Sequence, residues 1–596
     1  MPTQNKIKLD GGEFILKDIP SNEVFTAEDF SEEQKMIRDT VIDFVDREIW
    51  PQKMRFEEKD YDFTVESMKK IGDLGLLGIN VDQDYGGLGM DFVSTMLVCD
   101  YISGSSGSLA TAYGAHTGIA ILPIYLYGNE EQKKKYLPKL TSGEWFGSYC
   151  LTEPTAGSDA NSGKTKAELS DDGTHYLISG HKIWISNAGF ANLFIVFARI
   201  EDDKNITGFI VPNDPNNGIK LSEEEKKLGI HSSSTRQVFF EKTKVPIENL
   251  LGERNGGFKI AMNALNVGRI KLGAGNLDGQ RRVISGAIDY ANNRVQFKQP
   301  ISNFDSIKEK IAMMAASCYA GESSCYRAGS DVQSKIDEYL SNGLSKQESE
   351  LKGVENFAIE CSILKVAVSE DMQNCADEGI QIFGGMGFSA EIPMESAWRD
   401  ARIGRIYEGT NEINRMLMVG MLLKKAQKGE LDLMSALQNT MNDNNENKVE
   451  TIDELKHEMN IVNNLKKVFL IILGKAFEKY GAEIDKNQQV LLALSDIMIE
   501  TYFSESTLKR TIKNINRSNV NDQHYQIEMT KLYVYEASQI TLKKSKDIII
   551  SIYDNQLQEE LLAKIKELVS YEENPNIFNI KKSIADKLIS ENKYCF

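Results

Sequence analysis

The spacing of apolar residues changes period twice along this chain, and that change limits the folds it can adopt. From about residue 30 to 145, apolar residues recur at steps of three and four, as in "SEEQKMIRDTVIDFVDREI", which is typical of amphipathic helices. From about 146 to 250 apolar and polar residues alternate instead, and "HYLISGHKIWIS", "NLFIVFARI", "TGFIVP" and "RQVFFEKTKVP" predict strands. Helical spacing returns from about 257 to 425. The sequence therefore predicts a mainly α chain with a central β domain.

Four domains follow from these changes, because a chain of 596 residues is too long for a single core. The predicted bounds are 30–145 for an N-terminal helical domain, 146–256 for a middle β domain, 257–428 for a helical domain and 429–596 for a C-terminal helical extension. Ser31 is the predicted N-cap of the first helix. The polar stretch "NDNNENK" (442–448) is a predicted linker before the last helices.

Composition and charge exclude several classes of function. The net charge of −18 argues against nucleic acid as a partner and disfavours adsorption to anionic membranes. The longest apolar runs, such as "VFLIILG", are too short to span a bilayer. Seven cysteines are scattered without metal-ligand spacing, so no metal site is predicted. Because the N-terminus shows no targeting signal, a cytoplasmic protein is expected, with peripheral membrane association as the less favoured alternative.

The segment "YCLTEPTAGSDANSGKTKA" (149–167) lies where the β domain begins. Its backbone N–H groups, with the hydroxyls of Thr152 and Ser158, could donate hydrogen bonds to a polar heteroaromatic ring or a phosphate-bearing ligand. The alternative is a polar loop that enters a strand. A short motif of this kind does not decide between them.

Two further motifs allow both a structural and a ligand-binding interpretation. In "HKIWISNAG", Trp184 and Ser186 are two residues apart on a predicted strand and therefore on one face, where a flavin edge would fit; the alternative is a core tryptophan. "QIFGGMGF" (381–388) ends a predicted helix in glycines, either as a C-cap or as a close backbone approach to a pyrophosphate. No strand precedes it, so it is not the dinucleotide-binding fingerprint.

One carboxylate stands between two predicted apolar helices. In "RIGRIYEGTNEINR" (402–415), Glu408 follows an aromatic residue and precedes a Gly-Thr-Asn turn. A solvated loop glutamate is the simplest interpretation of this residue alone. A carboxylate buried between the helices would instead have a raised pKa and could act as a general base.

Taken together, the motifs resemble those of one family. "YCLTEPTAGSDA", "KIWISN", "RVQF" (294–297), "QIFGGMGF" and "RIYEGTNEI", in this order and at these separations, are similar to a flavin-dependent acyl-CoA dehydrogenase. The resemblance covers about residues 30–425 and implies a helical N-terminal domain, a β-barrel middle domain and a four-helix bundle. The additional C-terminal helices resemble those of the very-long-chain branch, whose members are dimers.

The resemblance implies a role for individual residues. Glu408 matches the catalytic base, FAD is the implied cofactor and acyl-CoA is the implied substrate. Positions that match FAD-binding residues are Tyr149, Leu151, Thr152, Gly157, Ser158, Trp184, Ile185, Ser186, Arg294, Gln296, Phe297, Phe304, Asp305, Gln381, Ile382, Phe383, Gly384, Gly385, Thr410, Asn411 and Glu412. Positions that match substrate-binding residues are Ser158, Leu265, Asn266, Arg269, Tyr407, Gly409, Gly114 and Gly118.

The resemblance also implies partners. The reaction would be FAD-dependent α,β-dehydrogenation of acyl-CoA in fatty acid β-oxidation, with electrons passed to an electron-transfer flavoprotein. The segments from Arg294 and from Gln381 would meet the FAD of a neighbouring subunit, which implies a homo-oligomer, expected to be a dimer; Lys298 stands where relatives usually have glycine. An acyl-CoA oxidase and a flavin-binding assembly or scaffold protein of the same fold are the alternatives.

Two segments carry more specific expectations. In 452–480, an apolar helical stripe predicts packing on neighbouring helices, with a membrane or partner-protein surface as the alternative. The segment "SLATAYGAHTGIAILPIYLYG" (108–128) resembles the floor of the family's acyl pocket, and its small residues Gly114 and Gly118 predict a deep pocket and a preference for long chains. Close helix packing would be the other reason for small residues there.

Overall fold

The computed structural model describes residues 9–441, 452–554 and 556–596. The predicted linker at 442–448 lies outside these described residues. In chain order the described elements are helices, then a sheet, then helices again, and then a last group of helices. The predicted order of helical and β regions is therefore confirmed.

The N-terminal helical domain begins with a capping box. The Ser31 hydroxyl accepts from the Gln34 N–H, and the Gln34 side chain accepts from the Ser31 N–H, so the predicted N-cap is confirmed. The helices are α1 (Glu32–Phe44), α2 (Met54–Glu57), α3 (Tyr61–Asp73), α4 (Phe92–Ser103), α5 (Gly107–His116), α6 (Leu122–Tyr127) and α7 (Glu130–Thr141). A π-helical turn, Thr117–Ile121, joins α5 to α6. The stretch from Gly107 to Tyr127 is long and apolar enough to span a membrane, but most of it is buried inside the protein, so its apolar character is accounted for by the core.

The middle domain is a mixed sheet. Its strands are β1 (Gly147–Cys150), β2 (Lys166–Leu169), β3 (His175–Ser186), β4 (Leu193–Ile200), β5 (Thr207–Pro212), β6 (Ile219–Leu221), β7 (Thr235–Pro246) and β8 (Leu250–Leu251). They pair in the order β6-β7-β3-β2-β4-β5-β8, and β1 pairs with β4 in parallel. This arrangement places the start of the "LTEPTAGSD" loop, which follows β1, beside the end of β3.

A second helical domain follows the sheet. Its helices are α8 (Gly257–Ala274), α9 (Leu277–Asn293), α10 (Asp305–Ser341), α11 (Lys346–Asn356), α12 (Ala358–Phe383), α13 (Met394–Ile403) and α14 (Asn411–Gln427), and a hairpin of β9 (Val295–Gln296) and β10 (Gln299–Pro300) joins α9 to α10. Helix α12 packs against α8, α9, α10 and α14. The long α12 therefore forms the centre of the bundle.

The C-terminal extension is helical, as predicted. Its helices are α15 (Leu433–Met441), α16 (Lys456–Tyr480), α17 (Gln488–Arg517), α18 (His524–Ile552), α19 (Gln556–Leu568) and α20 (Ile577–Glu591). The predicted apolar stripe packs on α17 and α18, and each of its members is buried: Leu455, Met459, Val462, Leu465, Phe469 and Ile472. Packing inside the protein therefore accounts for this stripe.

One buried carboxylate ties the extension to the preceding domain. Glu505 of α17 is fully buried, and its Oε2 lies 2.8 Å from the Arg327 guanidinium of α10. Its other oxygen pairs with Lys466 of α16, whose ammonium also donates to the carbonyl of Lys17 at 2.7 Å. Glu505 therefore joins α10, α16 and α17, and Lys466 extends the contact to the N-terminal segment at Lys17.

Candidate active site

Glu408 lies in a tight turn between α13 and α14, in a backbone conformation that few residues adopt. The φ of Glu408 is +59° and that of Gly409 is +81°, so two successive residues adopt the left-handed backbone conformation. Such backbone is uncommon for residues other than glycine, and it persists only where the surroundings hold it in place. The strained glutamate marks this turn as a candidate functional site.

Three side chains hold the carbonyl groups of this turn. The Asn414 amide donates to the carbonyls of Glu408 and Gly409 at 3.3 and 2.8 Å. Arg269 Nε donates to the Glu408 carbonyl at 3.2 Å, and Lys365 Nζ donates to the Gly409 carbonyl at 2.8 Å. These bonds fix the backbone of the turn and leave the Glu408 side chain to face the interior.

A glycine in the middle of α8 makes room for that side chain. A Cβ built on Gly268 would lie 2.7 Å from Oε2 of Glu408 and 2.9 Å from its Cδ. Real Cβ atoms do not approach other atoms so closely, so any larger residue here would displace the carboxylate. Gly268 was not among the predicted site residues, although a glycine inside the helical pattern "LNVGR" is a signal that could have indicated it.

The Glu408 carboxyl is buried and weakly bound. Within the described residues, its Oε2 is buried without a hydrogen-bond partner. Burial raises the pKa of Glu408 to about 7, although the charges of Arg269 and Lys365 act in the opposite direction. A carboxylate with this pKa is a stronger base than an exposed one and is still substantially ionised near neutral pH. The solvated-loop interpretation is therefore wrong.

Two tyrosines lie near this carboxyl. The Tyr149 hydroxyl is buried and has no partner among the residues that the structure describes. Burial, and then the charge of Glu408, raise the pKa of Tyr149 well above its usual range. Tyr407 shares a hydrogen bond with Thr111, and burial raises the pKa of Tyr407 to about 12. Both phenols therefore stay protonated.

Arg269 and Asn266 pack against the catalytic turn. The Arg269 Nη1 donates to Asn266 Oδ1 at 2.9 Å, and both side chains are buried. Their predicted role in substrate binding stays a prediction, but Arg269 also has a structural role that the sequence did not indicate, since it holds the carbonyl of Glu408. Leu265, one residue earlier on α8, is half-buried.

Open space lies on the other side of the site, beside α5. No atom lies within 4 Å of a Cβ built on Gly114, and at Gly118 the nearest atom is Cδ of Lys271 at 4.0 Å. Close helix packing therefore does not explain these two glycines, and their small size leaves room in the interior.

The "LTEPTAGSD" loop is anchored by a buried ion pair that was not predicted. Lys182 Nζ lies 2.7 Å from Glu153 Oε1 and donates to the Leu151 carbonyl at 3.1 Å. Glu153 therefore has a structural role in this loop. Gly157 and Ser158, at its tip, remain exposed and can meet a ligand.

Strand β3 is irregular at Trp184. Its register with β7 shifts between Lys182 and Ile185, and Trp184 has a φ of +61°, so the regular alternation that the same-face prediction assumed is interrupted there. Trp184 is nevertheless 58% exposed and Ser186 half-buried, while Ile185 between them lies in the core. Trp184 is therefore an accessible aromatic surface and not a core tryptophan.

The hairpin after α9 projects from the bundle. Its turn consists of Phe297 and Lys298, with φ of +50° and +67°, and Lys298 therefore adopts the backbone conformation that glycine favours. Phe297 is 89% exposed. Phe383, at the end of α12, stacks on Tyr290 of α9 at 4.2 Å, so "QIFGG" lies beside the helix that leads into the hairpin.

The turn residues predicted to contact the flavin also serve the fold. The Thr410 hydroxyl caps α14 by accepting from the Ile413 N–H at 3.3 Å. Asn411 accepts from Lys365 at 2.6 Å and donates to Glu370 at 2.9 Å. Glu412 is exposed. Whether their remaining atoms meet a flavin stays a prediction.

Comparison with known proteins identifies the family. Models of the acyl-CoA dehydrogenase family match its N-terminal domain at 31–144, its middle domain at 148–243 and its C-terminal domain at 255–423, and a further model named acyl-CoA dehydrogenase, C-terminal domain, matches 464–567. The chain belongs to the acyl-CoA dehydrogenase family. It is an FAD-dependent oxidoreductase with an additional C-terminal domain, so the family, fold and cofactor predictions are confirmed.

Individual relatives cover most of the chain. A probable acyl-CoA dehydrogenase of Bacillus subtilis is 40% identical over 98% of both chains. The mitochondrial very long-chain specific acyl-CoA dehydrogenase of Rattus norvegicus is 32% identical over 87% of this chain and 79% of its own length. The crystal structure of an acyl-CoA dehydrogenase complexed with FAD from Bacillus anthracis has a TM-score of 0.94 and 41% identity, and covers 99% of this chain and 100% of the other.

Observations of the described residues fit a flavin. Trp184 offers an exposed aromatic surface, and Tyr149 offers a buried hydroxyl without a partner. A Cβ built on Gly157, Gly384 or Gly385 would meet no atom within 4 Å, so a ligand could approach the backbone at each of them. Trp184, Tyr149 and Gly157 would hold the ring system near β3. Gly384 and Gly385, at the end of α12, would contact the pyrophosphate of the flavin in the neighbouring subunit.

Proposed function

We propose that this protein catalyses the α,β-dehydrogenation of acyl-CoA thioesters to trans-2-enoyl-CoA, with a preference for long chains. The observation that carries the proposal is the Glu408 carboxyl, which is buried against Gly268, has a raised pKa and lacks a partner for Oε2 among the described residues. The names of the relatives, all acyl-CoA dehydrogenases, support the same substrate class.

Glu408 would remove the α-proton of the thioester. That proton is too weakly acidic for an ordinary carboxylate, so the raised pKa of Glu408 strengthens the base. The N–H of Glu408 has no acceptor among the described residues, so it can donate to the thioester oxygen as negative charge develops there. Bound FAD supplies the electron acceptor for this oxidation. The protein contributes alignment, a base and a hydrogen-bond donor.

Anaerobic mixing of the FAD-loaded enzyme with a panel of acyl-CoA thioesters tests this function. The flavin absorbance should bleach with an acyl-CoA thioester and stay unchanged with free CoA. No bleaching with any chain length would favour the scaffold alternative. When the reaction is repeated in air with an electron-transfer flavoprotein added, we expect electrons to pass to that protein, and rapid peroxide formation would instead indicate an oxidase.

We also propose that the active unit is a dimer. The exposed hairpin with Phe297 and the nearby end of α12 are surfaces that a second subunit could cover, and both match segments predicted to meet the neighbour's FAD. Sedimentation of the FAD-loaded enzyme measures the assembly. An active, FAD-saturated monomer would contradict the proposal.

Lys365 is expected to lower the pKa of the base, as Arg269 does more strongly. The substitution Lys365→Met removes a positive charge that favours the ionised form of Glu408, so the pKa of Glu408 should rise above its value of about 7. The rate of flavin reduction as a function of pH should therefore rise at higher pH than in the wild type. A lower rate with an unchanged pH profile would show that Lys365 only supports the turn.

Gly114 is expected to control chain length. The substitution Gly114→Leu fills the space beside α5, and each buried methylene that the substrate loses costs about 0.8 kcal/mol. We therefore expect catalytic efficiency to fall for palmitoyl-CoA and to be spared for butyryl-CoA. Gly420→Leu, on an exposed face of α14 with no atom within 4 Å, is the matched control. Highest wild-type efficiency on butyryl-CoA would contradict the long-chain preference.

A further inference from the structure

Lys271 is a buried lysine whose ammonium is left without an acidic or carbonyl partner. It lies on α8, and only 6% of it is exposed. In the part of the chain that the structure describes, no hydrogen bond or ion pair reaches its Nζ. Burial lowers the pKa of Lys271, and the nearby Cys99 thiol is the group that opposes this effect. Holding a positive charge here is therefore costly unless an anion enters.

The other buried lysines all have a partner of the kind that Lys271 lacks. Each of them has a carboxylate or a carbonyl in contact with its ammonium, as buried charges in proteins generally do. These pairs are Lys133 with Glu130, Lys182 with Glu153, Lys365 with the Gly409 carbonyl, Lys466 with Glu505, and Lys509 with Asp18. Among the described residues, Lys271 is the exception.

The position of Lys271 connects it with the proposed acyl site. It follows Gly268 by three residues, about 4.5 Å of helix rise, and Gly268 is the residue against which the Glu408 carboxylate lies. Its Cδ is the nearest atom to a Cβ built on Gly118, next to the open space at Gly114. The lysine stem therefore borders the space predicted to receive the acyl chain.

Lys271 also lines a small cavity between helices. Lys271 lines it together with Thr95 of α4, Leu122 of α6 and Val267 of α8, and its volume of about 20 Å³ admits a single small group. Glu350 lines the same cavity but forms no ion pair with Lys271, and accepts instead from the Tyr125 hydroxyl at 3.5 Å. Apart from Glu350, none of the residues that line this cavity is acidic, so none of the others could balance the charge of Lys271.

We propose that Lys271 binds an anionic group at the ω end of the acyl chain, so that mono-CoA thioesters of dicarboxylic acids are substrates of this enzyme. The proposal rests on the proposed dehydrogenation of acyl-CoA and names a substrate class for it. An ω-carboxylate would give the buried ammonium its missing partner, and a charged hydrogen bond of this kind is stronger than a neutral one. A plain alkyl chain would reach the same place without that interaction.

Matched pairs of substrates test the proposal in the FAD-loaded enzyme. We would compare kcat/KM for adipoyl-, suberoyl-, sebacoyl- and hexadecanedioyl-CoA with that for hexanoyl-, octanoyl-, decanoyl- and palmitoyl-CoA. At the best-fitting length the wild type should favour the ω-carboxyl member by about 10- to 100-fold, the factor that a charged hydrogen bond contributes. In Lys271→Met this ratio should fall to near one, and Lys271→Arg should retain part of it.

Binding to the Glu408→Gln variant, which should not turn over, gives a second readout. Its affinity for the ω-carboxyl member should exceed that for the alkyl member, and the difference should disappear when Lys271→Met is added. A wild-type ratio near or below one at every length would overturn the proposal, as would a ratio that Lys271→Met leaves unchanged. If the alkyl thioesters also fail to bleach the flavin, the proposed function itself is wrong.

Discussion

Glu408→Gln is expected to slow flavin reduction by acyl-CoA by roughly 10²- to 10⁴-fold, the range that a positioned general base contributes. Glutamine has the size of glutamate and cannot accept the α-proton. It carries no charge, so its burial between α8 and the turn costs less than that of the ionised carboxylate. The variant should therefore fold and keep its FAD. Stopped-flow bleaching under anaerobic conditions measures the effect.

Glu458→Gln is a matched control for this experiment. Glu458 is also a buried glutamate, and burial raises its pKa too, but it lies on α16 of the extension. Its substitution should leave the bleaching rate near that of the wild type. A Glu408→Gln enzyme that bleaches its flavin at the wild-type rate would show that another group removes the proton.

The larger elements of the fold could be predicted because their patterns are long. The strands β3, β4, β5 and β7 contain six to twelve residues, and each was indicated by its alternating or continuous apolar pattern between turn residues. The short strands β1, β2, β6 and β8 contain two to four residues, which is too few for alternation to show. Their place in the sheet depends on pairing with distant strands, and one sequence does not display that pairing.

Helical spacing also predicted that one residue of α1 would face the core although it is exposed. Met36 is one of the apolar residues that recur at helical steps in "SEEQKMIRDTVIDFVDREI", the segment that forms α1, but it is 71% exposed. The stripe predicted the helix correctly, because several of its members do face the core. Which apolar positions are covered depends on the helices that pack there, and these come from later parts of the chain.

Only some residues of the candidate active site could likewise be predicted from the sequence. Glu408 was indicated by a local motif and a family resemblance, both of which are written in consecutive residues. Lys365 and Gly268 were not indicated, because each contacts the turn from a position more than forty residues away in the sequence. Trp184 adopts left-handed backbone that its residue type does not favour, so no sequence rule predicted it, whereas the glycine that relatives usually have at Lys298 was a signal for the left-handed backbone there.

Glu505→Gln is expected to reduce the free energy of unfolding by about 3–5 kcal/mol, because it removes the close counter-charge of two buried cations. Glutamine fills the same volume, so the effect comes from Arg327 and Lys466 and not from a cavity. Urea unfolding followed by circular dichroism should show a lower midpoint. Glu32→Gln, which breaks an exposed pair with Lys35, should change the free energy by less than about 0.5 kcal/mol.

The dependence on pH gives this prediction its sharpest test. Burial alone would raise the pKa of Glu505, but Lys466 and Arg327 lower it from an ordinary 4.5 to about 2. A depressed pKa in the folded state stabilises the protein above pH 4.5, and that contribution is lost as the pH falls towards 2. The difference between wild type and Glu505→Gln should therefore be constant near neutral pH and shrink in acid. Adding Lys466→Met to Glu505→Gln should restore part of the lost stability, since it removes one unpaired cation. An equal difference at all pH values, with no rescue, would mean that the ionised form of Glu505 does not hold these helices together.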